Sequence, residues 1–172
     1  MLSRSAIMNY LEVVNERLKQ KGLHGELCLF GGAVMCLVFH SREVTKDIDA
    51  VFAPTSEMYT IIKNIADEYN LEPDWLNPAV KGYVSRNHDV RLFKRMSNLA
   101  IYAATAEYMF AMKCLAARGF ESKDREDIQF LARYLGIRTM NEALAVLEKF
   151  YPQNRMPPRS QYVLEELFGN GL

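Results

Sequence analysis

The sequence is poor in the features that mark secreted, membrane-spanning or zinc-stapled proteins. Its three cysteines, Cys28, Cys36 and Cys114, lie in apolar runs with no Cys-x-x-Cys spacing. That argues against a disulfide framework and a thiolate zinc site, and an odd count of this kind fits reduced core thiols in the cytoplasm. The three histidines, His24, His40 and His88, stand at no metal-ligand spacing. No serine, cysteine or threonine is set in a nucleophile–histidine–acid pattern, so nothing points to acyl transfer. Neither sign of charge is in excess: 21 basic residues balance 21 acidic ones. No global basic field therefore advertises nucleic acid. Long hydrophobic runs are missing too. The longest, Leu27 to Phe39, is broken by Gly31-Gly32 and falls short of the ~20 residues that a membrane span requires. The N-terminal segment carries charges where a signal peptide would have its apolar core. The expectation is a soluble, cytoplasmic protein that makes no use of the membrane.

What remains is ordinary globular material, 49% hydrophobic and 24% charged in 172 residues, enough for a sizeable core. Ile7, Leu11, Val14 and Leu18 at helical spacing predict a helix from about Ser5 to Gln20. Glu26–Phe30 reads as a short buried strand, Ala33–His40 as a helix that starts at the glycine pair, and Asp47–Phe52 as a strand. Thr55 can cap a helix that runs to about Tyr69. Pro73, Pro78 and Gly82 break up the next stretch, in which Trp75, Leu76, Val80 and Tyr83 imply a packed loop or short helix. Strands are expected over Asp89–Phe93 and Leu99–Ala103. Helices are expected over Thr105–Arg118, Ser122–Leu135 and Thr139–Phe150, with a last short one after Pro157-Pro158. The order predicts an α+β protein: a mixed α/β core over residues 1–104, then a helical region over 105–172.

Two motifs stand out in the first half. Gly31-Gly32 follows a strand, where glycine permits a tight turn into a helix and a close approach of ligand to backbone. Unpaired N–H groups at the start of the next helix then suit a phosphate; an ordinary turn would use the same glycines. Asp47 and Asp49 lie at i and i+2, so a strand puts both carboxylates on one face while Ile48 points to the core. Two like charges that close are stabilised by a cation between them, and a carboxylate pair plus substrate phosphates is how Mg²⁺ is usually held. A solvated strand edge is the plainer alternative for an isolated Asp-x-Asp.

The stretch GGAVMCLVFHSREVTKDID resembles the signature of the nucleotidyltransferase superfamily related to DNA polymerase beta. Its Thr45-Lys46-Asp47-Ile48-Asp49 form is similar to that of the AbiEii-like bacterial group, many of whose members are toxins of toxin–antitoxin pairs. The resemblance implies a small mixed sheet flanked by helices and followed by a helical bundle. It implies that Gly31, Gly32 and Thr45 meet a nucleoside triphosphate and that Asp47 and Asp49 hold Mg²⁺. It also implies RNA or protein as possible acceptor and an antitoxin as possible partner. Downstream, AEYMFAMKCLAARGFESKDREDI is similar to a second AbiEii-like motif. By position Lys113 matches its lysine and Asp124 and Asp127 its acidic pair, which implies a nucleotide-binding role for all three; Lys123 replaces the usual arginine. From the residues alone, Lys113 either meets phosphate in a cleft or snorkels to water. Asp124 and Asp127 share a helix face, yet acids in a first turn also suit the helix dipole.

Two-metal transfer generally needs a further carboxylate to bridge metal and activate the attacking hydroxyl. Asp89 is the best-placed candidate and Asp74 the next. Arg42 and Lys46 could grip phosphates, although such residues are more often plain surface charges. Arg86, Arg91, Lys94 and Arg95 could form a basic strip suited to RNA. The apolar tail Tyr162–Phe168 either closes its own core or packs on another subunit.

Overall fold

The computed structural model describes residues 1–117, 123–153 and 156–169. The elements in order are β1 (Leu2–Ser3), α1 (Arg4–Gln20), β2 (Gly25–Leu29), α2 (Gly31–Leu37), β3 (Val44–Thr45), β4 (Ile48–Ala53), α3 (Thr55–Tyr69), β5 (Leu76–Asn77), a 3₁₀ turn (Ala79–Tyr83), β6 (Val90–Arg95), β7 (Leu99–Ala104), α4 (Ala106–Ala116), α5 (Lys123–Leu135), α6 (Met140–Phe150) and α7 (Pro158–Phe168). The expected helix ends at Arg118 and Ser122 lie outside the described residues. The fold is α+β, as the element order predicts, and it divides into two compact units. Met1–Gly82 with Val90–Ala104 makes the first; Tyr83–Asp89 with the described residues from Thr105 onward makes the second.

In the first unit a mixed sheet runs in the order β5-β4-β2-β7-β6. Strand β2 is antiparallel to β4 and parallel to β7, while β5 lies parallel to β4 and β6 antiparallel to β7. Period-two alternation decides which face is core. Leu27, Leu29, Ile48, Ala50 and Phe52 are buried, whereas Cys28, Asp49 and Val51 between them are half-buried and Glu26 is exposed. Helix α1 adds the stripe Ile7, Leu11, Val14 and Leu18, and α3 adds Met58, Ile61, Ile62 and Ile65, all 3% exposed or less. Each such side chain contributes roughly 1.5–3 kcal/mol relative to exposure. Trp75, 2% exposed, anchors the proline-broken segment by donating from Nε1 to the Ile62 carbonyl at 3.1 Å.

Element boundaries differ from expectation where local chemistry decides them. Ser3 caps α1 through its hydroxyl. Helix α2 begins at Gly31 itself and stops at Leu37. Pro54, whose ring fixes an extended φ of −69°, takes the cap position of α3, so Thr55 is the first helical residue and not the cap.

In the second unit α4 is the central helix, with Tyr108, Phe110 and Ala111 fully buried. Tyr83–Asp89 belongs here because its polar backbone is satisfied by these helices. Ser85 donates from its backbone to the Tyr108 hydroxyl at 2.8 Å and from its side chain to the Phe150 carbonyl, and the Tyr151 hydroxyl donates to the Tyr83 carbonyl. Thr139 and Glu142 form a reciprocal capping box at the start of α6. Val163, Leu164, Leu167 and Phe168 of α7 are buried, and Tyr162 remains 64% exposed. Among the described residues no helix is long and apolar enough to cross a membrane.

Candidate functional site

The glycine turn and the acidic strand meet within the first unit. The ladder between β2 and β4 is extended by one bond, Phe30 N donating to the Asp49 carbonyl at 2.9 Å, which brings the next residue, Gly31, beside Asp49. Gly31 has a left-handed φ of +59°, where a side chain is strained. Space is also lacking: a Cβ on Gly31 would lie 2.5 Å from Asp49 Oδ2. At Gly32 a Cβ would overlap the Thr45 hydroxyl, come within 3.1 Å of the Thr45 Cβ and lie 3.5 Å from Arg42 Nη1. The two missing methyl groups thus make room for a carboxylate and a hydroxyl of the protein itself, with a guanidinium in ordinary van der Waals reach of the second position. Thr45, 4% exposed, is held there because β3 pairs with β1, Leu2 opposite Thr45.

Asp47 stands just before β4 and Asp49 within it. Ile48 between them is fully buried, and its N–H donates to the Trp75 carbonyl at 2.7 Å. Strand alternation therefore turns Asp49 to the side away from Ile48, and Asp47 and Asp49 are both half-buried. Asn77 is the register partner of Asp49 on β5. Its amide serves the local turn, donating to the Asp74 carbonyl and accepting from Ala79 N. As hard oxygen donors with access to solvent, Asp47 and Asp49 are side chains of the kind that could hold Mg²⁺. Among the described residues no group of three or more His, Cys, Asp or Glu side chains is placed to hold a metal. Cys28, on the same face of the sheet by alternation, is no nucleophile at neutral pH, because desolvation pushes its thiol up to about 12.

The sequence left Arg42 between a grip on phosphate and a plain surface charge. Five positions before Asp47, it has the sequence surroundings of a surface charge, and only the path of the loop brings its guanidinium to the glycine turn. Of the basic residues considered for a strip, Arg91, Lys94 and Arg95 lie on β6. Arg91 and Lys94 pair with Ala103 and Ile101, and Arg95 pairs with Ala100, so the three cannot share one face. Lys94 reaches Glu12 of α1 at 3.5 Å.

The remaining candidates lie in the second unit. Lys113, only 13% exposed, neither snorkels nor stands open: its ammonium lies 2.7 Å from Asp124 Oδ1 and 2.9 Å from Asp127 Oδ2. The i,i+3 spacing on α5 brings both acids to one lysine of α4. Asp127 is 3% exposed at its side chain and Asp124 38%, so the group is a mostly buried ion triad that joins two helices. Asp89 is exposed, and its Oδ2 accepts a hydrogen bond from the Thr105 hydroxyl at 2.8 Å, while its carbonyl accepts from Thr105 N at 3.1 Å. Thr105 is the N-cap of α4, so Asp89 anchors the start of that helix.

No curated protein and no solved structure matches the chain. A family model does, over residues 6–152, and its description reads "Nucleotidyltransferase of unknown function (DUF6036)". That span takes in the glycine pair, the Asp-x-Asp strand and the Lys113 triad, and the chain belongs to this nucleotidyltransferase family.

Proposed function

We propose that this protein is a Mg²⁺-dependent nucleotidyltransferase that moves a nucleoside monophosphate from a nucleoside triphosphate to an acceptor hydroxyl. One observation carries the reading: the carboxylate of Asp49 and the hydroxyl of Thr45 occupy the space left by the two glycines, so turn and acidic strand form one cluster. In the reaction the acceptor oxygen forms a bond to the α-phosphorus. The bond from that phosphorus to the bridging oxygen breaks, pyrophosphate leaves with the electron pair, and the acceptor proton passes to a base. Gly31, Gly32 and Thr45 border the triphosphate, and Asp47 and Asp49 hold Mg²⁺, which when bound neutralises charge on the phosphate oxygens. The chain's contribution is positioning and electrostatics. The resemblance supports nucleotide binding by Lys113, Asp124 and Asp127, with Lys113 set against phosphate charge, and Asp89 is by its position in the sequence the candidate for base or third metal ligand. The AbiEii-like form of the motif supports RNA or protein as acceptor, an antitoxin as partner and action in the cytoplasm.

The test is ligand-dependent thermal stability. A ligand at 100 times its Kd adds about 2.7 kcal/mol, which for a domain of this size raises the melting temperature by roughly 5–10 °C. Nucleoside triphosphate with Mg²⁺ is expected to give such a shift, and Asp47→Asn or Asp49→Asn to remove its Mg²⁺-dependent part. If neither nucleotide nor metal moves the wild-type melting point, the proposal fails.

A second reading is a catalytically silent fold that binds nucleotide or a protein partner. It is favoured by the lack, among the described residues, of a third metal-binding side chain beside Asp47 and Asp49. Nucleotide labelled at the α-phosphate, incubated with total RNA and protein, separates the two. Label transferred by the wild type and lost in Asp47→Asn supports the enzyme; binding without transfer supports the silent fold.

A further inference from the structure

We propose that Arg42 is a phosphate-binding residue of this site, with its guanidinium directed at the triphosphate of the nucleotide. The inference rests on the nucleotidyltransferase reading and adds to it a residue from outside both motif pairs. Three observations lead to it.

First, Arg42 Nη1 lies 3.5 Å from where a Cβ of Gly32 would be, and Asp49 Oδ2 lies 2.5 Å from where a Cβ of Gly31 would be. A cation and an anion thus flank two adjacent positions of one turn. Second, the backbone that carries Arg42 is fixed on both sides. Ser41 donates to the Met35 carbonyl from N at 3.1 Å and from Oγ at 3.4 Å, and Val44–Thr45 is paired to Ser3 and Leu2. Between α2 and Ser41, His40 turns the chain with a φ of +52°, and Arg4 Nη1 meets its ring at 2.8 Å from Nδ1. Third, Arg42 is half-buried, so its charge acts where solvent screening is reduced.

The electrostatics require such a group. Two carboxylates beside the turn repel a polyphosphate, and one divalent cation offsets only their own charge. A guanidinium supplies further positive charge together with a planar fork of donors that matches two phosphate oxygens. Arg42 and Asp49 are already engaged within the protein, so nucleotide binding exchanges or shares those contacts.

The experiment compares Mg²⁺ complexes of a non-hydrolysable nucleoside triphosphate and of the matching monophosphate on wild type, Arg42→Gln and Arg42→Lys, by calorimetric titration. Loss of a charged hydrogen-bonding partner is expected to weaken the triphosphate by about 10- to 100-fold in Arg42→Gln, with the monophosphate nearly unaffected. Arg42→Lys, which keeps the charge but loses the fork, is expected to fall between. Equal losses for both ligands, or no loss for either, overturn the assignment. The wild type gives a second measurement that needs no variant: bound triphosphate should protect Arg42 from phenylglyoxal, mapped by mass spectrometry, and absence of protection with ligand bound overturns it as well. If the wild type binds no triphosphate, the nucleotidyltransferase reading falls, and that outcome is distinct from binding that ignores Arg42.

Discussion

Gly31 and Gly32 resist a methyl group for different reasons. At Gly31 the left-handed φ of +59° is the main obstacle, because the nearest atom, Asp49 Oδ2, ends a short side chain that can turn aside. Gly31→Ala is therefore expected to cost about 1–2 kcal/mol, mostly backbone strain. At Gly32 the obstacle is Thr45, which is 4% exposed and locked by its pairing with Leu2. Gly32→Ala should cost about 1–3 kcal/mol by overpacking, and Thr45→Ala should recover part of that by making room. Urea denaturation of the two single variants and the double variant measures the coupling, expected within about 0.5–3 kcal/mol; additive losses would show that the two residues do not press on each other. The sequence made the turn legible, and the likeness of Gly-Gly to a phosphate cradle as well. It did not show that the protein's own carboxylate and hydroxyl fill the space. Nor did it decide for Arg42 between a grip on phosphate and a plain surface charge, since the approach of its guanidinium to the glycine turn depends on how the loop after α2 folds back.

The helices were readable because each buries a stripe with a 3.6-residue period, as in Ile7, Leu11, Val14 and Leu18 of α1. The capping box of Thr139 and Glu142 fixes α6 at the expected start, and two backbone N–H bonds hold the Glu142 carboxyl below its ordinary range. Strands β1, β3 and β5 were not readable, because two residues carry no alternation and their pairing is set by distant partners. The Lys113 motif shows a different limit: its residues were identified, but their mutual ion pairs were not. On α4 and α5 they form a triad with a buried member, and its main expected effect is on stability. Lys113→Met leaves Asp127, 3% exposed, without its ammonium partner, and should destabilise by about 3 kcal/mol. Asp124→Asn, at a side chain 38% exposed, should cost no more than about 1 kcal/mol. Chemical denaturation ranks the two. Equal losses would contradict the burial argument, and an unchanged Lys113→Met variant would mean that the triad does not join the helices.

For the whole molecule, the sequence predicts an α/β part and a helical part, but only the folded chain shows that Tyr83–Asp89 goes with the helices although β6 and β7 follow it. The bonds that decide this reach from Ser85 to Phe150 and from Tyr83 to Tyr151, separations at which local pattern says nothing. The three cysteines offer a test of this architecture, because burial grades them. Cys36 in α2 and Cys114 in α4 are 1% and 0% exposed, and Cys28 in β2 is half-buried. In the native protein Cys28 should react first with a disulfide reagent, and slowly, because its thiol is pushed up to about 12 by desolvation. The thiolate is the attacking species, so its rate should rise about tenfold per pH unit while the fold persists. Cys36 and Cys114 should react only through opening of the units that bury them, and fully once denaturant is added. Absorbance of the released thiol, with mass spectrometry to assign sites, distinguishes the outcomes. One slow thiol followed by two that track unfolding is expected; modification of Cys36 or Cys114 as fast as Cys28 would show that the packing around α2 or α4 is not as tight as their burial requires.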